Sequence, residues 1–306
     1  MIIITTKVHP VLLDTLTSKG YKYLYEPTLE YAELYDIIPK ATGIIIATQI
    51  NIDSAMIDRA IDLEWIGRLG SGMEHVDVAY AMQRGIRCES SPEGNRTAVA
   101  EHALGLLLSL LRNISKSYQE VRQKQWYREE NRGVELSGKT IGIIGFGNTG
   151  SSFAKLLSSF GVKILAFDKY KKVEPTECIS SSTITQIQQE ADIISFHLPL
   201  TTETRHIAND DFFQLLQRRP YIINTSRGGI VDTQSLVQAL KNKQISGVGL
   251  DVLENEKLQT YQEREMSLLE YLSKQNNVII TPHIAGYSNE AVYKLSAILM
   301  EKLGIS

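Results

Sequence analysis

The sequence predicts an α/β protein of two doubly wound parallel-sheet domains. Three observations carry that prediction. Short apolar runs recur along the chain, as at residues 2–4, 43–47, 140–144 and 221–224. Runs without polar alternation read as strands buried on both faces, the kind found in parallel sheets. Between several of them lie longer stretches with apolar residues at helical spacing, and strands alternating with helices build a parallel sheet. The third observation is one stretch, residues 139–168, which contains a whole strand–turn–helix–strand unit.

The first domain begins with a strand at residues 2–4. Residues 10–20 carry Val11, Leu12 and Leu16 at helical spacing. A second strand is expected at 43–47, a helix at 53–61 capped by Asp53 or Ser54, and a third strand at 65–69. That strand runs into Gly70-Ser71-Gly72-Met73-Glu74-His75. Loops at the carboxyl ends of strands are where open α/β sheets bind ligands. Exposed backbone N–H groups there would hold a carboxylate, although a plain glycine turn also accounts for the loop. Glu74 and His75 read as surface or packing residues. After a loop at 91–96, residues 97–112 form a long apolar helix crossing between domains, with Ala100, Ala103, Leu104, Leu107, Leu108 and Leu111 in phase. Residues 113–137 are polar and charged with Trp126 and Tyr127 embedded, either a solvated face or an arm on a partner subunit.

The second domain opens with residues 139–168. An apolar strand ends in Gly145-Phe146-Gly147-Asn148-Thr149-Gly150, a GxGxxG. A helix follows with Phe153, Leu156, Leu157 and Phe160 in phase. Gly161 stops it, and a second strand at 162–167 ends in Asp168. This is the order and length of a dinucleotide-binding unit. Gly145 permits the tight turn, Gly147 lets a pyrophosphate approach, and Gly150 lets helix and strand pack. The helix N-terminus offers N–H groups to the phosphates. Asp168 is positioned to accept hydrogen bonds from ribose hydroxyls, and it would repel the 2′-phosphate of NADP, so NAD is the expected cofactor. Lys169, Lys171 and Lys172 oppose that choice.

Further strands are expected at 192–196, 221–224, 248–252 and 278–280. Helices are expected around Leu215-Leu216, at 236–241 and in the tail at 290–303, which returns to the first domain. Past three strand ends stand Arg227, Glu256 and His283, on the same sheet edge as the GxGxxG. Taken singly, each has a bland reading: a surface salt bridge, a solvated carboxylate, a helix cap. Together they are the equipment for reducing a keto acid. A guanidinium holds a carboxylate or carbonyl oxygen with two parallel bonds. A histidine exchanges the hydroxyl proton. A carboxylate orients the imidazole and favours its charged form.

Composition narrows the class. At 306 residues the chain is long enough for two domains. A net charge of −3 points to neither nucleic acid nor an anionic membrane as partner. Cys88 and Cys178 fit neither a metal site nor a disulfide framework, so no metal is expected and a reducing compartment is. No apolar run is long enough to span a membrane. The N-terminal apolar stretch is too short for a signal peptide, and a cytoplasmic location is expected.

These motifs resemble the D-isomer-specific 2-hydroxyacid dehydrogenase family, which includes D-3-phosphoglycerate dehydrogenase. The resemblance covers nearly the whole chain. It rests on Arg68-Leu69-Gly70-Ser71-Gly72, Ala100-Glu101-His102-Ala103, the GxGxxG, His197-Leu198-Pro199-Leu200-Thr201, Asn224-Thr225-Ser226-Arg227-Gly228-Gly229, Leu250-Asp251-Val252-Leu253-Glu254-Asn255-Glu256 and Thr281-Pro282-His283-Ile284-Ala285-Gly286.

The resemblance implies a Rossmann NAD-binding domain, residues 96–282, inserted into a flavodoxin-like substrate domain, residues 1–95 plus 283–306. It implies hydride transfer between NAD and a D-2-hydroxy acid or 2-keto acid, with 3-phosphoglycerate a candidate. Arg227, Glu256 and His283 would be catalytic. Ser71 and Gly72, with Arg227, would hold the substrate. Asn148 and Thr149 would sit in the phosphate turn, Asp168, Thr225 and Asp251 around NAD, and His197, Pro199, Ser226 and Gly286 beside it. Glu101 and His102 read as structural. A homodimer is expected, as is closure of the domains on substrate about crossings near 91–97 and 281–288.

The chain departs from the family at Lys257, where a proline is usual, so Glu256 would be held less rigidly or the lysine would touch substrate. No C-terminal regulatory domain of the serine-sensing kind is expected. Ala285-Gly286-Tyr287-Ser288 is similar to erythronate-4-phosphate dehydrogenase, which keeps that substrate open. An NAD-sensing co-repressor is the alternative outside metabolism.

Overall fold

The computed structural model describes residues 1–305. They form two compact units: Met1–Arg96 joined by the segment returning from Tyr287, and Thr97–Gly286.

Unit 1 runs β1 (Ile2–Ile4), α1 (Pro10–Ser18), β2 (Tyr23–Tyr25), α2 (Tyr31–Ile37), β3 (Gly43–Ile46), α3 (Ser54–Arg59), β4 (Trp65–Arg68), α4 (Val78–Gln83) and β5 (Arg87–Ser90). All five strands are parallel, in the order β2-β1-β3-β4-β5, which is the flavodoxin-like order. Successive strand residues point to opposite faces, so an all-isoleucine run must be covered twice. Ile3, Ile44 and Ile46 pack with Leu34, Ile38, Met56 and Ile57 on one face. Ile2, Ile4 and Ile45 pack with Leu12 and Leu16 on the other. Asp53 caps α3 by accepting from Met56 N at 2.9 Å.

Unit 2 contains α5 (Arg96–Leu111, from its second residue), α6 (Ile114–Arg122), β6 (Thr140–Ile144), α7 (Asn148–Leu157), β7 (Lys163–Phe167), β8 (Ile179–Ser181), α8 (Ile184–Glu190), β9 (Ile193–Phe196), α9 (Asp210–Gln214), β10 (Tyr221–Asn224), α10 (Thr233–Lys241), β11 (Gly247–Leu250), α11 (Glu263–Ser273) and β12 (Val278–Ile280). Its seven parallel strands lie in the order β12-β11-β10-β9-β6-β7-β8. Numbered from β6, this is the Rossmann order 3-2-1-4-5-6 with a seventh strand added. Strand order reverses between β6 and β9, and ligands bind outside the carboxyl ends at such a switch point. Leu107 and Phe153 cover one face, packing on Ile141 and Ile143. Phe212 and Leu236 cover the other, packing on Ile144 and Ile194.

The turn from β6 into α7 requires its glycines. Gly145 has φ +96°, and a Cβ there would lie 2.2 Å from the His197 carbonyl oxygen. One on Gly150 would lie 2.0 Å from the Gly145 carbonyl oxygen.

The tail forms α12 (Asn289–Leu303), which belongs to unit 1, where Leu299 and Met300 join the Ile2–Ile4–Ile45 layer. The expected helix around Leu215-Leu216 stops at Gln214 instead, with Leu215 as its cap and 55% exposed. Phe212 and Phe213 are the buried residues of that short helix, and Leu216 packs on the same core from just beyond its end. No helix among the described residues is long and apolar enough to cross a membrane.

Candidate active site

Arg227 follows β10, and Asn224 sets its backbone. The Asn224 side chain is buried. Its Oδ1 accepts from Ser226 N at 3.1 Å and from Ser226 Oγ at 2.8 Å, and its Nδ2 donates to Arg227 O at 2.9 Å. One amide thus ties down the two residues that follow the strand. Arg227 is half-buried, with Nη1 donating to Ser226 O at 2.8 Å. The next residue brings two loops together: a Cβ on Gly228 would lie 1.9 Å from Leu253 O, in the loop that leads to Glu256.

Asn255 organises that loop. Its Oδ1 accepts from Lys257 N at 3.0 Å, and its carbonyl accepts from Tyr261 OH at 2.6 Å. Its Nδ2 donates to Thr260 Oγ1 at 3.1 Å and to Glu265 Oε1 at 3.2 Å. Lys257 contributes a backbone N–H that a proline would lack. The departure at Lys257 therefore supplies a bond to the loop that carries Glu256. Glu256 Oε2 lies 2.9 Å from His283 Nδ1. Its neighbour Glu254 turns elsewhere, meeting His206 Nε2 at 2.5 Å and accepting from Thr233 N at 2.9 Å. His206, Asp232 and Glu254 bring ligand-type atoms within 4.8 Å of one another. Each ring nitrogen faces a different carboxylate, at 2.5 and 3.5 Å, so the imidazole itself bridges the two acids.

His283 has φ +54°, the left-handed region that is costly for a residue with a side chain. Asp251 holds it there. This carboxylate is buried. Oδ1 accepts from Thr281 Oγ1 at 2.6 Å and Ile284 N at 2.9 Å, Oδ2 accepts from Ala285 N at 2.7 Å, and the Asp251 carbonyl accepts from His283 N at 2.7 Å. Because Thr281 gives its proton to Asp251, its oxygen accepts from His102 Nε2 on α5, 2.9 Å away. His102 also lies 3.5 Å from Asp251 Oδ1. Gly286 ends the braced turn.

The residues expected beside the cofactor lie past the carboxyl ends of β6, β7, β9 and β10. Helix α7 starts at Gly147 with no side-chain cap and no acid in its first turn, so the first N–H groups, Asn148 and Thr149 among them, have no side-chain acceptor. A Cβ on Gly147 would meet nothing within 4 Å. Asp168 Oδ2 accepts from Phe146 N at 2.8 Å, and Oδ1 accepts from Tyr170 N and Lys171 N, both at 2.9 Å. The acid thus ties the end of β7 to the glycine turn. At the ends of β9 and β10, His197 Nδ1 and Thr225 Oγ1 are buried without a hydrogen-bond partner. His197 Nε2 lies 2.8 Å from Ser195 Oγ, and burial lowers its pKa to about 4, leaving a neutral imidazole near pH 7. Pro199 O accepts from Thr204 Oγ1 at 2.6 Å. An uncapped helix N-terminus, open space at Gly147 and an orphaned Thr225 hydroxyl together fit a dinucleotide.

In unit 1, Ser71 and Gly72 follow β4. Ser71 Oγ donates to Asn95 Oδ1 at 3.2 Å, and Ser91 N donates to Gly70 O at 3.0 Å, pinning the loop. Arg68 is buried beneath it, its guanidinium against Gly70.

Sequence reasoning left out Asn224, Asn255 and Thr281, and read His102 as structural without giving it a partner. Asn224 and Thr281 lay inside motifs already singled out, immediately before Thr225 and two residues before His283. The contact of His102 spans 179 positions and has no local signal.

Residues 104–285 match the NAD-binding domain model of the D-isomer-specific 2-hydroxyacid dehydrogenases. Over 90% of its length the chain is 34% identical to hydroxypyruvate reductase of Thermotoga maritima, covering 88% of that protein. It is also 34% identical to D-3-phosphoglycerate dehydrogenase of Synechocystis sp. over 90% of its own length, but spans only 48% of that protein. The solved structure of D-lactate dehydrogenase from Aquifex aeolicus, complexed with NAD and lactic acid, superposes with a TM-score of 0.89 at 27% identity, covering 99% of this chain and 94% of that one. The chain belongs to the D-isomer-specific 2-hydroxyacid dehydrogenase family, with residues 104–285 as its NAD-binding domain.

Proposed function

We propose that the protein is an NAD-dependent dehydrogenase interconverting a D-2-hydroxy acid and its 2-keto acid. The observation that carries this reading is the His283–Glu256 pair at 2.9 Å, on the same sheet edge as Arg227 and the Gly145–Gly150 turn. When bound, NADH supplies a hydride to the keto carbon. Arg227 holds the keto-acid oxygens through its planar fork. His283 gives a proton to the forming alkoxide. Glu256 fixes the ring through Nδ1, which leaves Nε2 for the substrate. Backbone N–H groups of Ser71 and Gly72 hold the carboxylate, and buried Arg68 behind them favours an acid. Thr225, Ser226, Asp251, His197, Pro199 and Gly286 are assigned to the surroundings of the nicotinamide half.

The substrate is a small 2-keto acid, with 3-phosphohydroxypyruvate, hydroxypyruvate, glyoxylate and pyruvate as the set to distinguish. The test is NADH absorbance with each of these in turn. Turnover of one or more at a kcat/KM above about 10⁴ M⁻¹s⁻¹, the lower range for enzymes, is expected. No turnover of any, with NADH bound, would overturn the reading and favour a sensing role.

We also place it in the cytoplasm as a homodimer. Helix α6 buries no residue, and Ile114, Tyr118 and Val121 on it are 48–61% exposed, with Trp126 beyond it 84% exposed. A second copy would cover that face. Light scattering should give about twice the 34.3 kDa chain mass, and Tyr118→Glu with Trp126→Ser should halve it. A wild-type monomer at working concentration would rule the dimer out.

A further inference from the structure

Asp168 is followed by Lys169, Tyr170, Lys171 and Lys172. In a dinucleotide fold, a cation just past the ribose-binding acid is what accommodates a 2′-phosphate. The sequence therefore carries a signal for NAD and a signal for NADP side by side.

The structure occupies the nearest of those cations. Lys169 Nζ meets Glu203 Oε2 at 2.5 Å, and Tyr170 OH donates to the same oxygen at 3.2 Å. The Lys169 ammonium also lies 5.4 Å from the centre of the Tyr170 ring. Glu203 comes from the turn after β9, which holds its own shape: Thr201 N donates to Thr204 Oγ1 at 2.8 Å, and Thr204 N to Thr201 Oγ1 at 3.2 Å. On the other side, Asp168 fixes the backbone of Tyr170 and Lys171 through two bonds of 2.9 Å. Lysine and glutamate are thus both presented from pinned turns. The hydrogen bond between them raises the pKa of the ammonium and lowers that of the carboxylate. Lys172 leans 3.9 Å from Glu174. Lys171 makes no ion pair among the described residues, so the selection is a ratio and not an exclusion.

We propose that Glu203 is a cofactor-specificity residue that engages Lys169 and so withholds it from a 2′-phosphate. The inference rests on the NAD reading above and names a determinant within that site. Asp168 repels the extra phosphate directly, and Glu203 removes the cation that would compensate.

The test is direct binding without substrate. Wild type, Glu203→Gln and the double variant Glu203→Gln/Lys169→Ala are titrated with NADH and NADPH, following dihydronicotinamide fluorescence. Glu203→Gln should lower the ratio of NADPH Kd to NADH Kd by roughly fivefold, the scale of one exposed charge pair. NADH affinity should stay within about twofold of wild type, which also reports an intact fold. Adding Lys169→Ala should restore the wild-type ratio. A ratio that does not move, a gain that persists without Lys169, or a parallel loss of both affinities would each overturn the proposal. If the wild type bound no NADH at all, the cofactor reading itself would fall, and this inference with it.

Discussion

Arg227→Lys is expected to lower kcat/KM for keto-acid reduction about a thousandfold while leaving the NADH dissociation constant within a few-fold. Lysine keeps the charge but presents one ammonium where arginine presents a planar fork of donors. The loss corresponds to roughly 4 kcal/mol of transition-state stabilisation, the upper range for removing one well-placed donor group. The main chain should not move, because Asn224 grips Arg227 through its carbonyl, and that bond is indifferent to the side chain. Steady-state rates give the first quantity and fluorescence titration the second. Normal turnover by the lysine variant would remove Arg227 from the role of substrate clamp. Weakened NADH binding with kcat intact would move it to the cofactor side.

Asp251→Asn is expected to cost about a hundredfold in kcat, with KM for NADH changed by less than threefold. The wild-type carboxylate accepts three hydrogen bonds, two on Oδ1 and one on Oδ2. An amide turns one oxygen into a donor, so at least one of Thr281, Ile284 and Ala285 loses its acceptor. These bonds hold His283 at φ +54°, and a misplacement of about 1 Å in a reacting group costs about a hundredfold. Stability should also fall, by about 1–3 kcal/mol for an unsatisfied buried group. Thermal unfolding measures that part. The split between kcat and the NADH KM decides the role. A kcat that holds while KM for NADH climbs tenfold would show that the Asp251 carboxylate serves the cofactor alone and leaves His283 positioned without it.

The motifs were legible because each sits where a buried strand ends. An isoleucine run is visible in sequence, and the residue after it must fall at the carboxyl edge of a parallel sheet. Arg227 and His283 were found that way, as was the glycine turn after β6. Strands β2 and β8 escaped notice because they lie at sheet edges. Their residues, Tyr-Leu-Tyr and Ile-Ser-Ser, are half-buried or exposed, and an edge strand needs no continuous apolar run. Helix α2 was missed because its capping box uses Glu30 and Glu33 where serine or threonine is the usual opening signal. Helix α6 was missed because it buries nothing, so no core pattern marks it. Asn255 and Thr281 act through hydrogen bonds to residues that only the folded loops bring near. The tie between Lys169 and Glu203 crosses from one strand end to another, and the charge run after Asp168 gives no hint of it.

Unit 1 is assembled from two stretches with the whole of unit 2 between them. The face formed by Ile2, Ile4 and Ile45 is covered in part by Leu12 and Leu16, but Leu299, Met300 and Ile305, which also cover it, are made roughly two hundred residues after β5. At roughly 5–20 residues per second of synthesis, that apolar layer stays partly bare for roughly ten to forty seconds after unit 1's own strands have emerged. Unit 2, continuous in sequence, has no such wait and can close on itself first. The nascent chain therefore presents its sticky surface on the stretch of unit 1 made before unit 2. A chaperone that recognises apolar strands would meet this protein there, while the nucleotide domain folds behind it.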